Sequence, residues 1–413
     1  MSLPVFLREN ARFLSVGGLL SFSSSYGQTF FIAIFAAQIM GAYSLSDGEW
    51  GGIYTLSTTA SAIVMFWAGG LVDRFRIRNL AFVVMPSMAL VCVLMAVNTT
   101  IAGLVVIVFL LRLFGQGMMS QLAVVAMARW FAARRGLALS ISALGLALGT
   151  AAFPIIIASL LGAIPWRWVW VISAALLMLT CPLILRLLSE ERTPQSLVEA
   201  SDTTGMAGRH WTKSEVLRSR IFWLLFPMLL GPPAWGTAFF FQQVHIAEVK
   251  GWPLLDFLAL IPVLAIISVL STIISGQAID RFGSARLATV YLLPIALAYF
   301  ILGLAETLSI AAVGIVFLGI GHGIQATLPT AFWAEFFGTR HIGAIKAVSA
   351  SIMVFGSAIG PGVSGALIDL GWTFAEQMIG ISVYFVAASI LVLVAVRDAR
   401  AHLPSGQVGT SDA

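Results

Sequence analysis

The sequence predicts an all-α membrane protein whose twelve transmembrane helices form two pseudo-symmetric halves of six. Composition supports a membrane protein, because 59% of the residues are hydrophobic and the mean hydropathy is +0.98, against about 45–50% apolar residues in a soluble domain. A repeated tripeptide supports the two halves: Asp-Arg-Phe occurs at residues 73–75 and 280–282, each time directly after a long apolar run.

Twelve apolar runs are long enough to cross a bilayer as an α-helix, which requires about 20 residues. We number them spans 1 to 12, at residues 11–38, 49–71, 79–97, 101–128, 136–161, 166–187, 220–246, 254–279, 286–305, 308–334, 342–368 and 372–396. Span 1 exceeds a signal-peptide core and lacks a small-residue cleavage site, so we expect it to be retained. Cys92 and Cys181 lie inside apolar runs and predict neither a disulfide framework nor a metal cluster, and no cofactor is expected.

The basic residues predict the topology. With a cytoplasmic N-terminus, all but three of the 23 Lys and Arg residues fall on the inside, as the positive-inside rule requires. The exceptions are Arg167 and Lys250 in outer loops and Arg112 in the middle of span 4. The net charge of +5 is dispersed over short loops without a basic domain, so nucleic acid is not an expected partner. We expect a monomeric, multi-pass protein of the plasma membrane, surrounded by lipid, with both termini in the cytoplasm.

A long polar stretch divides the chain. It predicts an N-terminal six-helix bundle at 1–187, a cytoplasmic linker at 188–219, and a C-terminal six-helix bundle at 220–413 with a short cytoplasmic tail.

The two bundles align in register. At an offset of 207 residues, Asp73 meets Asp280 and Glu49 meets Asp256. A duplicated six-helix unit is typical of transporters, whose halves move about a substrate site near the bilayer midplane.

The doubled motif resembles the major facilitator superfamily, which carries G-x-L-x-D-R-x-G-R-R between helices 2 and 3 and again between helices 8 and 9. The matching residues are Gly69 or Gly70, Asp73, Arg74, Arg76 and Arg78 in the first copy, and Gly276, Asp280, Arg281, Gly283 and Arg286 in the second. The resemblance implies the major facilitator fold and a carrier that works by alternating access, with a cavity lined chiefly by helices 1, 4, 7 and 10. We expect Asp73, Arg74, Asp280 and Arg281 to stabilise conformations at the cytoplasmic face and not to select substrate.

A narrower resemblance lies in two further segments. "RWFAARRGLALSIS" at 129–142 is similar to the W-F-x-x-R-R-G-x-A stretch of monocarboxylate and oxalate–formate porters, and residues 335–365 resemble the segment that those porters place before and within helix 11. Span 8 departs from the animal monocarboxylate carriers, because it has no Asp or Arg in its middle.

Arg112 is the first candidate for substrate binding. A charged residue at the centre of a span costs about 2.5–3.5 kcal/mol on insertion scales, so it usually faces a cavity or a partner. All 18 acidic residues lie in loops, tails or near helix ends, which leaves the charge of Arg112 for a ligand. A guanidinium fork suits carboxylate-like anions. The alternative is that Arg112 bonds to backbone carbonyls or hydroxyls between helices.

His322, in the middle of span 10, is the candidate for both substrate binding and proton coupling, because His titrates near neutral pH. Its counterpart in the repeat is Gln116, one turn from Arg112. The alternative is a hydrogen-bonded His between helices. The remaining candidates for substrate binding, each of which could instead serve packing, are Tyr26 on span 1, Trp235 and Gln242 on span 7, and Gln325 on span 10.

The sequence contains no phosphate-binding loop, H-E-x-x-H, C-x-x-C or G-x-S-x-G motif, so neither an ATP-driven pump nor a familiar membrane hydrolase is indicated, and we do not expect an enzyme. These observations predict a secondary transporter that moves a small, monocarboxylate-like organic anion with protons as a symporter. The alternative is an exporter or exchanger of another amphipathic solute. A channel, a membrane enzyme or a receptor is disfavoured by the two halves in register.

Overall fold

A computed structural model of the protein describes residues 3–68, 71–131, 135–189, 205–338 and 340–400. The described residues form helices and short connections, without a β-strand among them. By residue contacts the chain divides into two compact units, Met1–Val198 and Glu199–Ala413. The predicted all-α membrane fold is confirmed.

The helices of the first unit are α1 (Leu3–Ser23), α2 (Thr29–Ile32), α3 (Ala36–Tyr43), α4 (Asp47–Ala68), α5 (Leu71–Arg74), α6 (Ile77–Val97), α7 (Ile101–Leu111), α8 (Ser120–Trp130), α9 (Arg135–Leu161) and α10 (Trp166–Leu187). Those of the second unit are α11 (Lys213–Arg218), α12 (Arg220–Phe241), α13 (Gln243–Val249), α14 (Leu254–Leu258), α15 (Ile261–Phe282), α16 (Ser284–Val290), α17 (Leu292–Leu304), α18 (Leu308–Phe337), α19 (Ile342–Asp369) and α20 (Phe374–Arg400).

Most predicted spans correspond to helices of sufficient length and hydropathy. Within the described ranges, ten helical segments can cross a membrane, and the bent pair Val5–Gly27 and Thr29–Tyr43 makes an eleventh. The remaining predicted span, at 49–71, coincides with α4, whose many Gly, Ser and Thr residues lower its hydropathy.

The repeat is visible in how helices pack inside each unit. In the first unit α1 packs on α9, α4 on α7, and α6 on α10; in the second, α12 packs on α19, α15 on α18, and α17 on α20. These pairs are spans 1 with 5, 2 with 4 and 3 with 6, followed by spans 7 with 11, 8 with 10 and 9 with 12. Both units therefore have the same internal arrangement.

Glycines of spans 5 and 11 allow the closest of these contacts. A Cβ atom on Gly145 would collide with the carbonyl of Gly18 on α1, and one on Gly360 would collide with the carbonyl of Ala234 on α12. Small residues at such crossings let helix backbones approach within a membrane. A glycine at the helix crossing thus allows close packing of span 5 on span 1 and of span 11 on span 7.

The two basic residues predicted in outer loops are satisfied by helix ends. Arg167 donates to the carbonyls of Ala96 and Asn98, at 2.8 and 2.7 Å. Lys250 donates to the carbonyls of Gly303 and Ala305, at 2.6 and 2.9 Å, and its partial burial lowers its pKa. Cations stabilise the unpaired carbonyls at helix C-termini, and this role accounts for two of the three exceptions to the predicted positive-inside pattern.

The second part of the predicted linker packs on the second unit, while residues 190–204 lie outside the described ranges. The backbone N–H of Trp211 donates to the carbonyl of Phe337, at the end of α18, and their rings meet edge to face. Thr212 and Glu215 form a capping box that begins α11, and hydrogen bonds from Thr212 lower the pKa of Glu215.

Candidate functional site

Span 1 is broken in its middle, a feature that its hydropathy does not predict. After α1 a 3₁₀ turn covers Ser24–Gly27, Gln28 is extended with φ −85° and ψ 156°, and the chain bends by 48° before the helix resumes at Thr29. The run of three serines before Tyr26 and Gly27 is the only sequence feature that hints at the break, since Ser and Gly are weak helix formers. Broken helices in transporters expose backbone groups near substrate sites.

Span 4 is also irregular, directly opposite the break. Residues Arg112–Met119 form a π-helical segment between α7 and α8. A Cβ atom on Gly27 would collide with the carbonyl of Leu111 and lie 2.7 Å from the Cα of Gly115. The broken part of span 1 therefore rests on the backbone of span 4, and π-helical turns often mark functional sites.

Arg112 begins this π-helical segment, and its side chain is 1% exposed. One terminal nitrogen, Nη1, donates to the carbonyl of Gly27 at 3.1 Å and to Thr29 Oγ1 at 3.4 Å. The guanidinium also lies over the ring of Tyr54, with Cζ 5.2 Å from the centroid, and the Tyr54 hydroxyl is 2.6 Å from Thr29 Oγ1. A backbone carbonyl and a hydroxyl are the partners expected if Arg112 forms hydrogen bonds between helices. Arg112 therefore does connect span 4 to span 1.

The other edge of the guanidinium is unused. Neither Nε nor Nη2 of Arg112 has a hydrogen-bond partner among the described residues, although both atoms are buried. No carboxylate of the described side chains forms a salt bridge with Arg112. A buried N–H without an acceptor is costly, and these two nitrogens present the parallel donors that a carboxylate accepts bidentately.

Gln116 and Tyr26, both predicted to bind substrate, differ in their surroundings. Gln116 lies in the π-helical segment, is half-buried, and makes no hydrogen bond to a described residue. Tyr26 is 4% exposed, and its ring packs against Phe31 and Phe153 at 5.1 and 5.0 Å. The side chain of Gln116 thus has no hydrogen-bond partner among the described residues, whereas the ring of Tyr26 contributes to an aromatic core.

The candidates of the second unit include a polar pair on α18. His322 and Gln325 are half-buried, and neither side chain makes a hydrogen bond to a described residue. His322 faces α12: its ring is 6.5 Å from that of Phe240, and a Cβ atom on Gly236 would lie 3.3 Å from its Nε2. Gly236 therefore leaves the space in which the imidazole stands.

Trp235 and Gln242 on span 7 are held by neighbouring helices. Trp235 is half-buried and meets the ring of Tyr384 at 6.3 Å. Gln242 is 3% exposed, interrupts the helix between α12 and α13, and donates to Ser364 Oγ at 3.2 Å. Its amide is thus engaged between spans 7 and 11, a contact that sequence spacing does not reveal.

The structure describes only part of the doubled Asp-Arg motif. Asp73 and Arg74 end the short helix α5, and Asp280 and Arg281 lie in the last turn of α15, but the side chains of Asp73, Arg74 and Asp280 are outside the description. The side chain of Arg281 is exposed and lies over the ring of Phe282.

A contact next to the second copy of the motif was not predicted from the sequence. Glu335 accepts hydrogen bonds from the backbone N–H and the hydroxyl of Ser284, at 3.0 and 2.5 Å. This carboxylate of α18 thereby caps the start of α16.

Comparison with known proteins supports this architecture. The family described as Major Facilitator Superfamily matches residues 17–361. Two inward-facing crystal structures of a bacterial homologue of the human lysosomal transporter Spinster, one unoccupied and one occupied, align with TM-scores of 0.72 and 0.70 at 18% and 17% identity, over 98% of this chain and 100% of theirs. The nucleoside transporter NupG aligns with a TM-score of 0.68 at 12% identity, over 95% of this chain and 100% of its own. A search of curated proteins finds no match. At these identities, the structural similarity shows a common fold.

Proposed function

Because the chain belongs to the major facilitator superfamily and is therefore a transporter, we propose that it carries a small organic anion together with protons. The substrate is of the monocarboxylate class, in keeping with the resemblance of residues 129–142 and 335–365 to monocarboxylate and oxalate–formate porters. The protein acts as a monomer in the plasma membrane, with both termini in the cytoplasm, by alternating access.

The unused edge of Arg112 carries this proposal. Two buried donors, Nε and Nη2, lack partners, and the positive charge is not balanced by a described carboxylate. A carboxylate that accepts from both nitrogens satisfies the donors and neutralises the charge in one step. The break at Gln28 and the π-helical turn that begins at Arg112 leave irregular backbone at the same place, as expected next to a transported ligand.

Gln116 completes the anion site in the first unit. It stands one turn from Arg112 on the same segment, and its amide can donate to a second oxygen of the substrate. A 2-oxo or 2-hydroxy monocarboxylate offers such an oxygen beside its carboxylate. Within the second unit, Trp235, Gln325 and Gln242 remain candidates for substrate binding, and Gln242 would have to break its hydrogen bond to Ser364 in order to bind a substrate.

His322 couples transport to protons. Its imidazole makes no hydrogen bond to a described residue, stands in space left by Gly236, and belongs to the only class of side chain that ordinarily changes charge near neutral pH. Arg112 keeps its proton throughout the cycle. Binding and coupling are therefore assigned to different residues.

A neutral solute is the competing substrate class, because the fold is shared with a nucleoside transporter. The purified protein is mixed with monocarboxylates, dicarboxylates, nucleosides and the amides of the same monocarboxylates, and its melting temperature is measured. We expect stabilisation by a monocarboxylate and none by its amide, since the amide cannot neutralise Arg112. Stabilisation by nucleosides alone would refute the anion proposal.

Transport itself is measured in proteoliposomes. With a pH gradient as the sole energy source, the stabilising acid should accumulate inside, and an uncoupler should abolish the accumulation. Counterflow without any response to the pH gradient would instead identify an exchanger.

A further inference from the structure

A groove of about 390 Å³ lies on the surface of the second unit, between α15, α16 and α18. On α15 it is lined by Ile267, Leu270, Ser271, Ile274, Ser275 and Ala278, a spacing that keeps one face of a helix. On α18 it is lined by Val316, Ile320 and Ile324, whose spacing also places them on one face of the helix. Helix α16 contributes Leu287.

The groove is open to the surroundings of the protein. Leu270 is 50% exposed and Ile274 is 65% exposed, and both lie in a helical segment that is long and apolar enough to cross a membrane. The groove extends from Ile267 to Ala278, which is about 16 Å at 1.5 Å per residue. Half of the hydrocarbon core of a bilayer is about 15 Å thick, so the groove is as long as one lipid leaflet.

The walls offer no free polar group to a polar occupant. The hydroxyl of Ser271 donates to the carbonyl of Ile320 at 2.9 Å, and that of Ser275 pairs with Thr327 Oγ1 at 2.9 Å. All other lining side chains are hydrocarbon. The groove therefore suits an apolar chain.

One end of the groove is basic. Ala278 lies one turn before Arg281, and Leu287 directly follows Arg286; both arginines are exposed. Neither arginine forms a salt bridge with a described carboxylate, and the nearby Glu335 is engaged by Ser284. On the predicted topology this end faces the cytoplasm, where anionic lipid headgroups attract Lys and Arg.

We propose that this groove binds one acyl chain of an anionic phospholipid of the leaflet at which α15 ends, with the lipid phosphate at Arg281 and Arg286. The length of the groove selects a chain, and the two arginines select the headgroup. The lipid fills the space between spans 8, 9 and 10 and stabilises the helix that carries His322.

The test uses delipidated full-length protein and native mass spectrometry. The probes are dioleoyl phosphatidylglycerol, dioleoyl phosphatidylcholine and glycerol 3-phosphate, which is the headgroup without chains. We expect one tightly bound phosphatidylglycerol, preferred over phosphatidylcholine by about 30-fold, from about 1 kcal/mol for each arginine near the surface and tenfold for each 1.4 kcal/mol. Glycerol 3-phosphate should not bind. Equal binding of both lipids, or tight binding of glycerol 3-phosphate, would overturn the proposal.

Two pairs of variants locate the site. Ala278→Phe fills the groove and should weaken the lipid at least tenfold, whereas Ile273→Phe, on an exposed position of α15 outside the groove, should not. Replacing Arg281 and Arg286 together by Gln should remove the preference for phosphatidylglycerol, whereas Arg78→Gln, at the corresponding turn of the other unit, should keep it. Retention of the lipid by a folded Ala278→Phe protein would contradict the proposal.

If Ala278→Phe does not fold, a measurement on the unchanged protein tests whether the groove binds the lipid. Phosphatidylglycerol with a photoreactive group in mid-chain is bound and illuminated, and the labelled peptides are identified. Labels should concentrate in residues 267–278 and 316–324. Equal labelling of lipid-exposed positions elsewhere, such as Leu90, would show that the groove binds no particular lipid.

Discussion

Replacing Arg112 by Gln is the sharpest test of the anion site. The change removes the positive charge and the unused Nε and Nη2 donors while leaving a polar side chain in the π-helical segment. Loss of one partner of a buried, hydrogen-bonded charge pair costs about 2–5 kcal/mol of binding. The dissociation constant should therefore rise at least about 30-fold, since 1.4 kcal/mol corresponds to tenfold.

The ligand-free protein should change little in stability. Arg112 contributes hydrogen bonds to the carbonyl of Gly27 and to Thr29 Oγ1, worth together about 3 kcal/mol at the lower end for a charged donor. Against this, a central Arg costs about 2.5–3.5 kcal/mol to place in a span. The two effects nearly cancel, so the melting temperature of the empty variant should stay within a few degrees of the original.

The assay is the melting temperature with and without the acid. At 100 times its dissociation constant, a ligand stabilises the original protein by about 2.7 kcal/mol. After a 30-fold loss the same concentration is about three times the new constant, which leaves about 0.9 kcal/mol. Arg112→Lys should fall between the two, because Lys keeps the charge without the planar fork.

Arg167→Gln is the matched control, since Arg167 also donates to backbone carbonyls but lies in the first turn of α10, at the end of a span. This variant should keep the full increase in melting temperature that the acid produces. If Arg112→Gln also keeps that effect, the anion does not bind Arg112. The function of Arg112 would then be only to hold the broken part of span 1 against span 4.

The remaining predictions concern coupling, conformation, packing and topology. His322→Gln should retain counterflow of the substrate but lose uptake driven by a pH gradient; accumulation of substrate by this variant in proteoliposomes would exclude His322 as the proton carrier. Asp73→Asn should slow turnover in an uptake assay while binding affinity stays within a few-fold, and a selective loss of affinity for one substrate would count against a conformational role. Gly27→Ala should lower the melting temperature strongly, because its Cβ meets the backbone of Leu111 and Gly115, whereas Gly41→Ala, with nothing within 4 Å, should change stability by no more than about 1 kcal/mol. Cysteines introduced at residues 200 and 405 should resist impermeant thiol reagents in intact cells. Labelling of either cysteine from outside would contradict the predicted topology.

The sequence alone determined the membrane class, the positions of the spans and the duplication. Hydropathy averages over about 20 residues, so it identifies a span whatever its neighbours are. The doubled Asp-Arg-Phe and the common offset of 207 residues revealed the repeat, which the equivalent packing of both units bears out. The sequence also singled out Arg112, because a lone charge in an apolar run is visible without any structure.

The tertiary structure decided how the candidate side chains are used. The same averaging conceals a break at one residue, so the extended Gln28 was invisible in span 1. Gly27, Thr29 and Tyr54 surround Arg112 from 58 to 85 positions away in the chain. Gln242 reaches Ser364 across 122 positions.

Such contacts depend on which faces of two helices meet. Periodicity shows that a helix has an apolar face, but every apolar helix in a membrane satisfies its own backbone and can pack in many ways. Only the packed structure shows that span 1 occupies one edge of Arg112 and that the other edge has no hydrogen-bond partner among the described residues. That division is made by contacts between spans and not by any one of them.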